Sequence, residues 1–242
     1  MREIKIQIAR FGKRLMLMFR IHIFLSPFEN IFINLAYVSK MSRFAHQNKN
    51  SDALNDFLVL DFKYDRREIA YKYIIDNYVK NTDINYLEFG VCSGKSFEWW
   101  INHHKNSNST FNGFDTFEGL PEDWGPFKKG DMSTSNKIPE YNDIRTKFHQ
   151  GLFQVTLPKF LESFNDDKKK VIHLDSDLYS STLYVLTTIA PLLKKGDIVI
   201  FDEFGVPSHE FMAFHEFINV YYKEFKLIAA QNNYYFAAFK IE

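Results

Sequence analysis

The 242-residue chain contains a single cysteine, Cys92, and therefore cannot form an internal disulfide framework or a cysteine-rich zinc site. It also lacks an excess of either charge, because 30 Lys and Arg residues balance 30 Asp and Glu residues. Without a net basic field to attract phosphates, we do not expect a nucleic-acid-binding protein. The lone thiol fits a reducing compartment, and we expect a cytoplasmic location. With 45% apolar residues, the chain can fill the core of a large α/β domain.

No apolar run is long enough to cross a bilayer. Residues 1–27 carry six Lys and Arg residues and one acid, and their apolar side chains recur close to helical spacing. Arg20 and His22 interrupt the most apolar part, which is shorter than the about 20 residues that a span needs. A signal peptide is not expected either, since no small-residue cleavage site follows.

The pattern in residues 1–27 instead predicts a basic amphipathic helix. We expect it to pack on its own domain or on a second subunit, which makes a homodimer the first expectation. Peripheral contact of residues 1–25 with an anionic membrane surface is the alternative. Residues 42–56 are polar and rich in Asn and Ser, and are predicted to form a loop. We therefore divide the chain into an appendage with its linker, residues 1–60, and a main domain, residues 61–242.

The main domain alternates short apolar runs with helical patterns. The predicted helices cover 66–80, 96–103 and 181–193, and the predicted strands cover 85–90, 110–115, 171–174 and 197–201. The first of these strands ends on a glycine, the second ends on an acid, and the last two are followed by acids. This order predicts a doubly wound, mainly parallel α/β sheet with a ligand crevice along the carboxyl ends of its strands. Residues 225–241 predict a closing antiparallel hairpin.

The first strand leads into a turn with glycines four residues apart, Gly90 and Gly94. This spacing matches neither the G-x-G-x-x-G dinucleotide pattern nor a phosphate-binding P-loop. Glu88 precedes the turn, where its carboxylate could pair with a ligand ammonium group. Asp115 ends the next strand, 25 residues after Gly90, the position from which an acid accepts hydrogen bonds from ribose hydroxyls. Together these residues predict a site for an adenosyl amino acid.

Two later strands are followed by four acids: Asp175, Asp177, Asp202 and Glu203. Carboxylates gathered in one crevice repel one another unless cations or shared protons relieve them. Oxygen ligands favour Mg²⁺, so a divalent ion is expected here. The alternative is that Asp202 or Glu203 merely caps a turn. We expect His173 to be a packed or surface side chain and not a ligand.

Five segments, in order, carry a resemblance to a known family: LEFGVCSGKS, GFDTFEGLP, GLFQVTLP, HLDSDLYSST and IVIFDEF. Together they resemble the macrocin O-methyltransferase (TylF-like) family of class I S-adenosylmethionine-dependent enzymes, which includes metal-dependent sugar O-methyltransferases. The resemblance extends from about residue 66 to the carboxyl end. It implies a Rossmann-like, seven-stranded, mainly parallel doubly wound sheet with a C-terminal antiparallel hairpin, preceded here by the N-terminal helical appendage.

The resemblance also implies roles for individual residues. It places Glu88, Gly90, Gly94 and Ser96 around the methionine part of S-adenosylmethionine, Asp115 at the ribose, Thr116 and Phe117 at the adenine, Asp175, Asp202 and Glu203 at a Mg²⁺ ion, and Asp177 as the catalytic base. One position departs from the family, which more often has Asp-Asp where this chain has Asp202-Glu203.

The expected function is methylation of a hydroxyl on a sugar or glycosylated metabolite, with S-adenosylmethionine as donor, Mg²⁺ as metal and Asp177 as general base. One alternative is a metal-dependent nucleotide-sugar glycosyltransferase that uses Asp175 and Asp177, although it leaves Glu88 and Asp115 unexplained. A second is a catalytically silent protein that binds membrane surfaces through its basic helix. The acceptor itself cannot be read from the sequence.

Overall fold

A computed structural model describes residues 1–242 as one mixed sheet with helices around it. The strands are β1 (Leu54–Asn55), β2 (Ile84–Phe89), β3 (Thr110–Asp115), β4 (Thr146–Gln150), β5 (Lys169–Leu174), β6 (Ile198–Phe201), β7 (Phe225–Gln231) and β8 (Phe236–Ile241). The helices are α1 (Arg2–Met18), α2 (His22–Leu25), α3 (Glu29–Asn48), α4 (Arg66–Ile74), α5 (Lys95–His103), α6 (Phe153–Leu161), α7 (Tyr179–Ile189) and α8 (Glu210–Tyr221).

The sheet has the order β1-β7-β8-β6-β5-β2-β3-β4. All neighbouring strands are parallel except β8, which runs antiparallel to both β6 and β7. The expected α/β class, the mainly parallel sheet and the closing hairpin are thereby confirmed. Because β2 lies between β3 and β5, Glu88 is level with Gly113 on one side and with His173 on the other.

Two hydrophobic cores cover the two faces of the sheet. Alternate side chains of a strand point to opposite faces, and in β2 Leu87 and Phe89 join a core with α7 and α8, whereas Ile84 and Tyr86 join a core with α4 and α5. The central strand β6 reads Ile-Val-Ile-Phe and is wholly buried, the continuous apolar run typical of a strand covered on both faces.

Several elements differ from the prediction. The sheet has eight strands and not seven, because Leu54–Asn55 pairs with β7 at the edge. The loop predicted for 42–56 is wrong over 42–48, which continue α3 because Met41, Phe44 and Ala45 pack against the core. Strand β4 was not predicted, since its half-buried residues form no apolar run. Helices α6 and α8 were also missed.

The basic segment at the start of the chain is helical, as predicted, but in several pieces. Helices α1 and α2 are followed by a single 3-10 turn at Ser26–Phe28 and then by α3. No single helix is both long and apolar enough to cross a membrane, although Arg2–Met18 and His22–Asn48, bent by 75°, together meet the same test of length and composition.

Candidate active site

The turn after β2 brings three strand ends together. Gly90 has a φ of +94°, and a Cβ atom there would lie 1.7 Å from the Asp175 carbonyl oxygen, so only glycine fits. Its N–H donates a hydrogen bond to the Phe114 carbonyl, and the Asp175 N–H donates one to the Phe89 carbonyl; both donor–acceptor distances are 2.9 Å. The carboxyl ends of β2, β3 and β5 are therefore held at one edge of the sheet.

The carboxylate of Asp115 organises the same turn. Its Oδ2 accepts hydrogen bonds from the Val91 and Cys92 N–H groups, at 2.8 and 2.7 Å, and its Oδ1 accepts from the Phe117 N–H at 2.6 Å. Each carboxylate oxygen has two lone pairs, so Oδ1 keeps one for a ligand hydroxyl. Asp115 thus both positions the turn and offers an acceptor at its surface.

Glu88 lies beneath the turn and is completely buried. It accepts hydrogen bonds from Tyr86 and from Ser96, the latter at 2.7 Å, and its Oε2 is 3.5 Å from His173 Nδ1. On the other side of the imidazole, Nε2 is 3.6 Å from Asp202 Oδ1. Burial alone would lower the pKa of His173, but the carboxylates of Asp202 and Glu88 outweigh it and raise the pKa to about 10. A buried imidazolium therefore neutralises two buried acids.

Asp202 is engaged by side chains from and just before α4. Its Oδ2 accepts hydrogen bonds from Arg67 Nη1 at 2.7 Å and from the Tyr64 hydroxyl at 2.9 Å, and its Oδ1 accepts one from Tyr71 at 3.3 Å. Burial opposes ionisation, but the nearby His173 imidazolium and the Arg67 guanidinium keep the pKa of Asp202 below its ordinary value. Asp202 is thus a buried, ionised carboxylate with its partners already in place.

The other acids of the cluster have fewer partners. Oxygen atoms of Asp175, Asp177 and Glu203 lie within 4.8 Å of one another, and a second group with the same spacing joins Asp175 to Asp202 and His173. Glu203 Oε2 and Glu210 Oε1 are buried without a hydrogen-bond partner. Uncompensated carboxylate oxygens are the donors that a hard divalent cation prefers, so these residues fit a Mg²⁺-like ion.

Asp177 combines an unusual backbone conformation with a raised pKa. Its φ of +60° is a left-handed conformation that few residues other than Gly, Asn and Asp adopt, and its side chain is buried at the edge of the crevice. Burial, together with the negative charge of Asp202, raises the pKa of Asp177 to about 7. Its carboxyl group can therefore both accept and release a proton near neutral pH.

A cavity of about 670 Å³ opens above these strand ends, within the range of about 300–1,000 Å³ typical of small-molecule sites. The segment after β3 covers one side of it with Trp124 and Phe127, whose rings stack 5.1 Å apart. Trp124 also meets His209 edge to face. Tyr64 and Tyr235 line the cavity near the acids.

The structure brings most predicted site residues to this cavity. Its lining includes Gly90, Ser96, Asp115, Thr116, Asp175, Asp177 and Glu203. Four predicted residues do not line it: Glu88 and Asp202 are buried behind it, Gly94 contacts Tyr141, and Phe117 is buried in the core. The individual roles assigned to all of these residues stay predictions.

Sequence reasoning missed Arg67, Tyr64 and Tyr71, which surround Asp202. A signal was present for two of them, since positions 67 and 71 fall at i and i+4, on one face of α4. Glu210, the first residue of α8, was also missed as part of the acid cluster; its Oε2 accepts the Glu203 N–H at 3.0 Å. Burial, which no sequence pattern marked, is what distinguishes Glu210.

Comparison with known proteins agrees with this geometry. Residues 87–204, which include the glycine turn and the acid cluster, match a family model described as a methyltransferase domain. The chain has a methyltransferase fold. No curated protein sequence matches it, and the narrower resemblance to the macrocin O-methyltransferase family stays a prediction.

Solved structures with this fold include two methyltransferases. CalS11, a calicheamicin methyltransferase, has a TM-score of 0.56 at 22% identity over 73% of this chain and 77% of that chain. Its apo structure, described as TDP-rhamnose 3'-O-methyltransferase, has a TM-score of 0.50 at 20% identity over 73% and 78%. The O-methyltransferase NovP has a TM-score of 0.54 at 20% identity over 72% and 78%. At these identities, the likeness establishes the fold.

Proposed function

We propose that this protein is an S-adenosylmethionine-dependent O-methyltransferase that methylates a hydroxyl of a sugar or a glycosylated small molecule. The observation that carries the proposal is the single cavity that joins the Asp115 turn to Asp177. Asp115, which offers an acceptor for a nucleoside hydroxyl, and Asp177, a carboxyl group with a pKa near neutrality, both line this cavity. Transfer of a methyl group from a sulfonium to a hydroxyl needs both in one place.

Asp177 has the central task in the proposed reaction. As the acceptor oxygen forms its bond to the methyl carbon and the sulfur–carbon bond breaks, the Asp177 carboxylate takes the hydroxyl proton. Gly90 and Asp115 hold the turn against which the donor lies, so that the methyl group and the hydroxyl meet in line.

We propose that Asp175, Asp202 and Glu203 hold a divalent cation. Asp175 is the residue common to the group with Asp177 and Glu203 and to the group with Asp202 and His173. When bound, the cation supplies positive charge that lowers the pKa of the acceptor hydroxyl. Without such help, a carboxylate is a weak base toward an alcohol. In the arrangement described here, Arg67 provides positive charge at Asp202, 2.7 Å away, and at Asp175, 3.7 Å away.

The sugar acceptor is proposed from the shape of the cavity wall and from the acceptors named for CalS11. Trp124 and Phe127 present a stacked aromatic surface near His209. An aromatic face can cover the apolar face of a sugar ring, whose hydroxyls then extend toward polar side chains. The glycosyltransferase alternative is not favoured, because the matched family model describes a methyltransferase domain.

Calorimetric titration with S-adenosylhomocysteine, in EDTA and again in excess Mg²⁺, tests the proposed function. We expect saturable binding in both buffers, because Asp115 and the glycine turn contain no predicted metal ligand. UDP-glucose with Mn²⁺ is the contrasting ligand. Heat from the nucleotide sugar alone would favour the glycosyltransferase, and binding of neither ligand would favour a catalytically silent protein.

Replacement of Asp115 with Ala is expected to weaken S-adenosylhomocysteine binding by about tenfold or more, since a charge-assisted hydrogen bond is lost. The Val91 and Cys92 N–H groups also lose their acceptor. Calorimetry measures the change, with the exposed Asp52→Ala as matched control. Unchanged affinity in Asp115→Ala would exclude the ribose role.

Replacement of Trp124 with Ala is expected to raise the KM for the sugar acceptor about tenfold, equivalent to about 1.4 kcal/mol of binding. Loss of the aromatic surface is the reason, so Trp124→Phe should keep most of the affinity. Steady-state kinetics measure KM, and calorimetry checks that S-adenosylhomocysteine still binds. An equal loss of cofactor affinity would instead place Trp124 in the cofactor site.

A further inference from the structure

The first 38 residues, here called the arm, expose an unusual amount of apolar surface. Of the 34 large apolar side chains that are exposed in the whole chain, 19 lie in the arm. Phe24, Phe32 and Leu35 have 68%, 53% and 60% of their surface exposed. A soluble monomer rarely leaves so large a contiguous apolar surface in water, so this surface has a partner.

The partner is not the chain's own domain. Helix α1 buries none of its residues, and neither does α2. The first anchored residue is Tyr37, which is buried and donates a hydrogen bond to Glu216 over 2.7 Å. Beyond it, Met41 and Phe44 pack against the core. The arm is therefore fixed at its base and carries its apolar residues away from the sheet.

The distribution of apolar side chains favours a membrane over a second protein copy. Between residues 21 and 38, only His22 and Glu29 have side chains that can carry a charge near neutral pH. Ile31, Leu35 and Val38 share one face of α3, and Ile33 lies on the opposite face, yet all four are exposed. A partner helix covers one stripe, whereas a helix that is apolar on several faces is typical of surroundings that are apolar on several sides.

Charge selects the kind of membrane. Residues 1–27 have a net charge of +5, from six cations and one acid, so the rest of this neutral chain carries −5. In α1, the apolar residues at 4, 8, 11 and 15 share a face, and the cations at 10, 13 and 14 lie off it. Cations beside an apolar face complement anionic lipid headgroups.

We propose that the arm binds the surface of an anionic membrane. Helix α1 lies in the plane of the headgroups, with its apolar face toward the acyl chains, and the segment up to Val38 lies in the same boundary. The 75° bend between the two helical parts suits an arm that stays in one leaflet better than a straight span. The catalytic domain is thereby held at the membrane by Tyr37 and the residues that follow it.

Co-sedimentation of the full chain with vesicles tests this proposal. We expect binding to anionic vesicles of phosphatidylcholine with about 30% phosphatidylglycerol, because anionic headgroups attract basic segments. Binding to vesicles of phosphatidylcholine alone should be at least tenfold weaker. Charge reversal at three arm positions, Arg10→Glu, Lys13→Glu and Arg14→Glu, should weaken binding at least tenfold. The matched control reverses three exposed lysines outside the arm, Lys159→Glu, Lys195→Glu and Lys226→Glu, and should bind as the unmodified chain does.

A second variant set tests the apolar contribution. Phe24→Ser, Phe28→Ser and Phe32→Ser together should also abolish vesicle binding, while S-adenosylhomocysteine affinity stays unchanged as a measure of the folded domain. Equal binding to both vesicle types would overturn the anionic assignment. Absence of vesicle binding, with a dimer in analytical ultracentrifugation that these serine substitutions dissociate, would show that a second copy covers the arm. Neither result bears on the proposed methyl transfer, which the cofactor titration tests separately.

Discussion

Asp177→Asn is expected to lower turnover by about 10²–10⁴-fold, the contribution typical of a general base. Asn is the appropriate replacement, because it tolerates the left-handed backbone, φ +60°, that Asp177 adopts. The variant keeps the shape of the side chain and loses its negative charge and its ability to take a proton. Formation of S-adenosylhomocysteine with a sugar acceptor measures turnover, and calorimetry should show cofactor affinity within a few-fold of the unmodified protein.

The exposed Asp167→Asn serves as the control for loss of one negative charge. The pH profile adds an independent readout. With the pKa of Asp177 raised to about 7, the base is protonated in acid, so kcat/KM should rise as pH increases through about 7. A large loss of cofactor binding in Asp177→Asn, with turnover of the remaining complex unchanged, would contradict the assignment.

His173→Gln is expected to destabilise the fold by about 3–5 kcal/mol, because it removes the cation shared by two buried carboxylates. Asp202 keeps its ion pair with Arg67, whereas Glu88 is left without a cation. Glu88 and Asp202 lie 3.5 and 3.6 Å from the two imidazole nitrogens, and none of the three side chains is exposed beyond 2%. Thermal and urea unfolding measure the loss, which should lower Tm by roughly 10 °C in a chain of this size.

The pH dependence identifies the cause of that loss. The native pKa of His173 is about 10 and its ordinary value is 6.5, so native protein holds a proton that unfolded protein releases between these values. The stabilisation is complete below pH 6.5 and is lost as pH rises toward 10. The unmodified protein should therefore approach His173→Gln in stability as pH increases. His46→Gln, at an exposed position, is the control. If the difference in unfolding free energy between the unmodified protein and His173→Gln does not change with pH, the result would argue against a charged imidazole.

Sequence patterns predicted the central sheet well because its strands are buried on both faces. The run that became β6 is apolar along its whole length, and Tyr86–Leu87 and Val171–Ile172 are short apolar runs in the middle of β2 and β5. Strand β4 has only half-buried residues, and β1 has two residues, so neither produces a pattern. The polar composition of 42–48 was misleading, since two or three packed side chains were enough to keep α3 helical.

The candidate site was predictable where its residues follow strands, and not where partners arrive from elsewhere. Asp115, Asp175 and Asp177 stand at strand ends, and parallel topology brings such ends together. By contrast, the pairing of Asp202 with Arg67 joins positions 135 residues apart. The burial of Glu88 beneath the turn depends on Tyr86 and Ser96, which became hydrogen-bond donors only once β2 and α5 had packed. The spacing of residues along the chain predicts neither the pairing of Asp202 with Arg67 nor the burial of Glu88.

The position of β2 in the middle of the sheet has a consequence for how the protein folds. Its residue Ile84 pairs with Lys169 of β5, 85 positions later. At the other end of the same strand pair, the Asp175 N–H donates a hydrogen bond to the Phe89 carbonyl. Pairings between distant parts of a chain form slowly, because the intervening loop must first be closed at an entropic cost. We therefore expect the edge that carries the candidate site to form late in folding, since a nascent chain cannot assemble it until β5 has been synthesised and inserted between β2 and β6.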